Sequence, residues 1–106
     1  MNAGSPLAAI AAIWQRQVPQ TRERLHVLRK AADTLSETRT IEPGLRAQAL
    51  DIAHKLAGSL GTFGYSEATD HARLVERELD HTGLPQPERL EQHVTALEAS
   101  LREALA

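Results

Sequence analysis

Apolar residues recur every three or four positions along this chain and nowhere alternate, so the pattern predicts helices and no strands. Five segments carry it. Leu7 to about Gln17 follows Ser5 and Pro6, an N-cap residue and a proline suited to the first helical position. Pro19 should end or kink that segment. From about 20 to 37, Leu25, Leu28, Ala32 and Leu35 form one stripe, which Val18 and Thr21 extend backwards. After a turn at "TIEPG", residues from about 44 to 62 place Leu45, Ala49, Ile52, Ala53, Leu56 and Leu60 on one face, with Phe63 beyond. Ser66 opens the segment 66–81, with Glu67 and Asp70 near its start and Ala68, Ala72, Val75 and Leu79 on its apolar face. "HTGLPQP" stops it, and its His81 stands where a cation suits a helix C-terminus. The segment 88–105 closes the chain with Leu90, Val94, Leu97, Leu101 and Leu105.

Short connections between helices of about 16 residues imply antiparallel neighbours. The expected fold is all-α: an antiparallel up-and-down four-helix bundle in one domain spanning residues 1–106. A short extra helix at 6–17 should cap one end and pack Trp14 onto the bundle, with residues 1–4 loose.

Composition changes this picture mainly by exclusion. At 106 residues the chain can bury a core without metal or disulfides, and it has no cysteine for thiolate zinc or thiol chemistry. A net charge of −2 offers a nucleic-acid partner no electrostatic support. The longest apolar run, "LAAIAAIW", is far shorter than the roughly 20 residues of a membrane span, and Met1 to Gly4 lack the basic leader of a secretory signal. A small cytoplasmic domain with no membrane contact is expected.

The chemistry concentrates in "DIAHKLAGSLGTFGYSE". Glycine within a helix costs roughly 1 kcal/mol relative to alanine, yet Gly58, Gly61 and Gly64 follow His54 in close succession. On a wheel of about 100° per residue the apolar stripe centres near 30°, and His54 falls near 180°, facing solvent. Ala47, Gly58 and Gly61 lie about it, at roughly 200°, 220° and 160°. Helical side chains lean toward the N-terminus, so any side chain at position 58 would lean over His54. The glycines therefore trade helix stability for access, while Gly64 suits the helix C-terminus.

An open imidazole can bind metal, move protons or act as a nucleophile. Metal needs further ligands, and only Asp51 stands near on this helix. Proton shuttling needs a substrate pocket, which a small filled bundle does not offer. Nucleophilic attack needs only a neutral nitrogen with room around it, and imidazole, with an ordinary pKa of about 6.5, is mostly neutral at pH 7. It can accept a phosphoryl group if the donor brings the metal and the charge neutralisation.

"AHKLAGSLGTFG" resembles the signature of histidine-containing phosphotransfer (HPt) domains, through His54, Leu56, Gly58 and Ser59. The resemblance covers residues 45–80 at motif level, and the helical outline extends it to the whole chain. It implies a phosphorelay module in which His54 is the phosphoacceptor and Gly58 gives room for the phosphate and the partner. It also implies receiver domains and a histidine kinase as partners, with Mg²⁺ on the receiver and no cofactor on this chain. A monomer without turnover of its own is expected. The family commonly has Lys three residues after the histidine. Here that place is Ala57, and Lys55 stands on the other flank as the cation that could reach the phosphate. Docking should use Ala47, Leu50 and Gly61 with Gly58 as a small apolar patch, rimmed by Asp51 and Lys55. Two other classes compete with this reading. A purely helical interaction or dimerisation module would never phosphorylate its histidine. A carboxylate-type metal enzyme needs two inward Glu-x-x-His pairs, and Glu78 with His81 supplies at most one.

Overall fold

A computed structural model describes residues 6–80 and 82–106. These form four helices, α1 (Pro6–Thr38), α2 (Pro43–Thr62), α3 (Ser66–Asp80) and α4 (Pro87–Ser100), with no strand among the described residues. Each helix packs on two others: α1 on α2 and α4, and α3 on α2 and α4. The result is an antiparallel four-helix bundle, as the hydrophobic spacing predicts. The loose segment 1–4, the N-cap at Ser5 and the C-terminal His81 fall outside the described residues.

The core follows the predicted stripes. Leu25, Leu28, Ala32 and Leu35 of α1 meet Ala49, Ala53, Leu56 and Leu60 of α2. Ala72, Val75 and Leu79 of α3 and Leu90, Val94 and Leu97 of α4 complete it. Leu45, Ile52 and Phe63 only partly enter, packed against its edge. Pro43 and Pro87 each stand at the start of their helix, where the missing N–H removes no intrahelical bond. Gly64, at φ +84°, closes α2: Tyr65 N–H donates to Leu60 O and Gly64 N–H to Gly61 O. This pair of bonds is the Schellman arrangement, which needs a left-handed residue that glycine adopts without strain.

The separate capping helix is corrected by the structure: residues 6–17 are the first half of α1, which runs 33 residues straight through Pro19. Proline inside a helix costs about 3 kcal/mol by removing one hydrogen bond and crowding the preceding turn. Pro19 is exposed, so the freed carbonyl side faces water. Trp14, four residues before Val18 and seven before Thr21, continues the same buried stripe across it. Burying a tryptophan removes roughly 150–250 Å² from water, worth about 4–6 kcal/mol, which outweighs the proline. Trp14 packs against Phe63 edge-on and against Tyr65 at a tilt, at centroid distances of 5.1 and 4.8 Å, and its Nε1–H donates to Ala104 O. Ahead of Trp14 the helix overhangs the bundle, leaving Leu7, Ile10 and Ile13 exposed.

The last helix is also shorter than its spacing predicts. It ends at Ser100, and 101–105 turn more tightly, with Leu101 and Arg102 N–H bonding three residues back. The carbonyls released there are taken by α1 side chains: Ala104 O by Trp14 and Leu105 O by the Arg22 guanidinium.

Candidate functional site

The α2 stripe of Ala49, Ala53, Leu56 and Leu60 faces inward, and this turns His54 outward, its side chain 73% exposed. Its Nδ1 lies 2.7 Å from Glu76 Oε2 on α3. An ionised carboxylate can only accept, so Nδ1 carries a proton, and in the neutral ring Nε2 keeps its lone pair. The glutamate thereby orients the ring and leaves its second nitrogen bare toward solvent.

Ala47, Leu50, Asp51 and His54 line one shallow cavity of about 310 Å³, closed on the α3 side by Glu76 and Asp80. Four of the residues proposed from sequence thus come together. Leu50 is half-buried and Ala47 exposed. Gly58 is exposed, and a Cβ built there would meet nothing within 4 Å, so packing does not demand the glycine. At Gly61 a Cβ would rest in ordinary contact with Thr69 Oγ1 of α3, 3.7 Å away. Lys55 lies apart from the cavity. Its Nζ pairs with Asp51 Oδ2 at 2.8 Å, and its stem lines a second hollow, between α1 and α2, with Gln17, Gln20, Arg24 and Ser59. Ala57 is buried on the opposite flank of α2.

Glu76 and Asp80 were not singled out by sequence, because both lie on a different helix. A signal existed in the hairpin register. Moving seven residues along α2 from His54 to Gly61 moves seven back along α3, from Glu76 to Thr69. The tight turn at 63–65 sets that register, so Glu76 could have been placed level with His54. The remaining described histidines differ in setting. His26 is exposed on α1, and His71 is half-buried with Nε2 3.7 Å from Glu67 Oε1, beyond hydrogen-bond range. His93 is half-buried, and burial pushes its pKa below the usual imidazole value. Among the described residues no group of three His, Cys, Asp or Glu side chains is arranged to hold a metal ion, and no helix is long and apolar enough to cross a membrane.

The arrangement can therefore present one nucleophilic nitrogen, oriented by a carboxylate, to a second protein. Comparison with known proteins bears on which. The family described as Hpt domain matches residues 12–106. Protein RcaC of Microchaete diplosiphon is 36% identical over 70 residues, which span 66% of this chain and 11% of that much longer protein. No solved structure matches.

Proposed function

We propose, for a chain that belongs to the Hpt domain family, that His54 is the residue that carries the phosphoryl group. Members of this family are histidine phosphotransfer modules that work with receiver domains and kinases in phosphorelays, and this chain is one of them. The observation that carries the assignment is the His54 ring itself: exposed, tied at Nδ1 to Glu76, with nothing standing over it at Gly58.

In the forward step the Nε2 lone pair attacks the phosphorus of an aspartyl phosphate in line with the leaving oxygen. The N–P bond forms as the P–O bond breaks, and the electron pair stays on the departing carboxylate. The ring keeps its Nδ1 proton, and the positive charge it gains is offset by Glu76. In the return step a second receiver's carboxylate attacks, and the N–P electrons go back to Nε2. Neutralisation of the phosphoryl oxygens would come from Mg²⁺ held by the receiver. The domain acts as a monomeric, cytoplasmic covalent intermediate without turnover of its own. Gly58 serves access, and Ala47, Leu50, Asp51 and Gly61 belong to the docking face. Lys55 reaches the phosphate only by leaving Asp51.

The test is incubation with phosphorylated receiver domains, followed by mass mapping of the modified residue. Acid-labile, alkali-stable phosphate on His54 is expected, and its complete loss in His54→Gln with an unchanged helical spectrum. Phosphate mapping to His26, His71 or His93 would refute the assignment, as would output that survives His54→Gln.

A further inference from the structure

The surface on either side of His54 carries opposite charge. Toward α3, the cavity that contains His54 is lined by three carboxylates, Asp51, Glu76 and Asp80, and by no cation. Toward α1, the neighbouring hollow is lined by Arg24 and Lys55 among the uncharged Gln17, Gln20, Ser59 and Thr62, and by no acid. Both hollows lie against α2, and the Lys55–Asp51 pair links one to the other. Asp51 lies between them and is half neutralised by Lys55, at 2.8 Å. That leaves Asp80 at one end and Arg24 at the other as the charges that the lining of their own hollow does not neutralise. Arg73 and Arg77 stand further round α3, in a separate hollow with Asp70 and Leu74.

We infer that this polarity selects the receiver domain and fixes the direction in which it lies across His54. The fitting partner borders its phospho-aspartate with a basic residue on the side that meets Asp80, and with an acidic residue on the side that meets Arg24. A receiver docked the other way round would set like charges against each other at both ends, which suppresses wrong partners more than it strengthens the right one. Opposed charges at the rim also speed encounter and do so less as salt rises. The inference rests on His54 being the phosphoryl acceptor.

The experiment separates the two claims with a small donor that needs no docking surface. Phosphoramidate phosphorylates imidazole directly: the ring's N–P bond forms as the donor's P–N bond breaks and ammonia leaves. Each variant's transfer rate from a panel of phosphorylated receivers, sorted by the charges bordering their aspartate, is divided by its phosphoramidate rate. Asp80→Lys and Arg24→Glu are each expected to lower this ratio about tenfold for receivers of the fitting polarity. The wild-type ratio should fall between low and high salt, and that slope should flatten in the double variant. Glu103→Lys and Arg102→Glu, equal charge changes beside the α3–α4 hollow, should change the ratio less than twofold. Ratios within twofold of wild type, or equal losses in the two control variants, would overturn the polarity. Absence of phosphoramidate labelling at His54 in the wild type would overturn the acceptor assignment, and this inference with it.

Discussion

The seam between α1 and α4 and the seam between α2 and α3 are built from similar residues to opposite ends. On the first, Arg29 of α1 is saturated. Its guanidinium bonds both oxygens of Glu91 at 2.8 and 2.6 Å, Glu98 at 2.5 and 3.2 Å, Thr95 Oγ1 at 3.0 Å and Asp33 at 3.1 Å. These partners, Glu98 foremost, hold its pKa well above the ordinary guanidinium range. On the second seam the imidazole of His54 is bonded to Glu76 and stays three-quarters exposed. Charge that ties helices together is multiply bonded, whereas the group proposed to meet another protein is bonded just enough to be aimed. A fully satisfied His54 would have no nitrogen left to react.

Three changes probe this contrast. The largest effect is expected at Gly58→Glu, whose side chain would lean over His54: transfer from a receiver should slow at least tenfold. Because a Cβ there meets nothing within 4 Å, unfolding should move only slightly, and toward greater stability. Unchanged transfer would show that the bare surface serves something other than access. Next is Arg29→Ala, which leaves the Glu91 and Glu98 carboxylates without their shared cation and should lower stability by roughly 1–2 kcal/mol in urea unfolding. Labelling of His54 should not change, since the described residues that line its cavity belong to α2 and α3. A fall in labelling with no loss of stability would erase the distinction between the two seams.

The smallest effect is a pH dependence at His93, on the side of α4 that faces α3, away from both seams. Burial lowers its pKa in the folded state, with Arg89 and His71 adding to the shift and Glu78 opposing it. The unfolded chain therefore binds a proton before the folded one does. The stability concerned is fully present above about pH 6.5 and is lost as pH falls below that value. His93→Gln should lose less stability than the wild type between pH 7 and pH 5, as read from unfolding midpoints. Parallel losses would mean that the half-buried ring is not disfavoured when charged.

Much of this was legible in one dimension. The spacing of Leu, Ala and Val marked the helices and their inner faces, because a helix turns about 100° per residue whatever surrounds it. The same arithmetic turned His54 outward and placed bare positions beside it. It erred at Pro19, where local propensity opposes a helix and Trp14, Phe63 and Tyr65 together override it. It also overran α4: beyond its end the carbonyls of Ala104 and Leu105 bond to Trp14 and Arg22 of α1, 90 and 83 positions earlier.

Periodicity within a helix is a local property, so inner face, outer face and the exposure of position 54 were already written in the order of the residues. The partner of Nδ1 was not, nor the separation of Lys55 from the His54 cavity, nor the opposed charges on its two sides. Those depend on which helices lie side by side and at what register, and that is decided only when four apolar stripes close on one another.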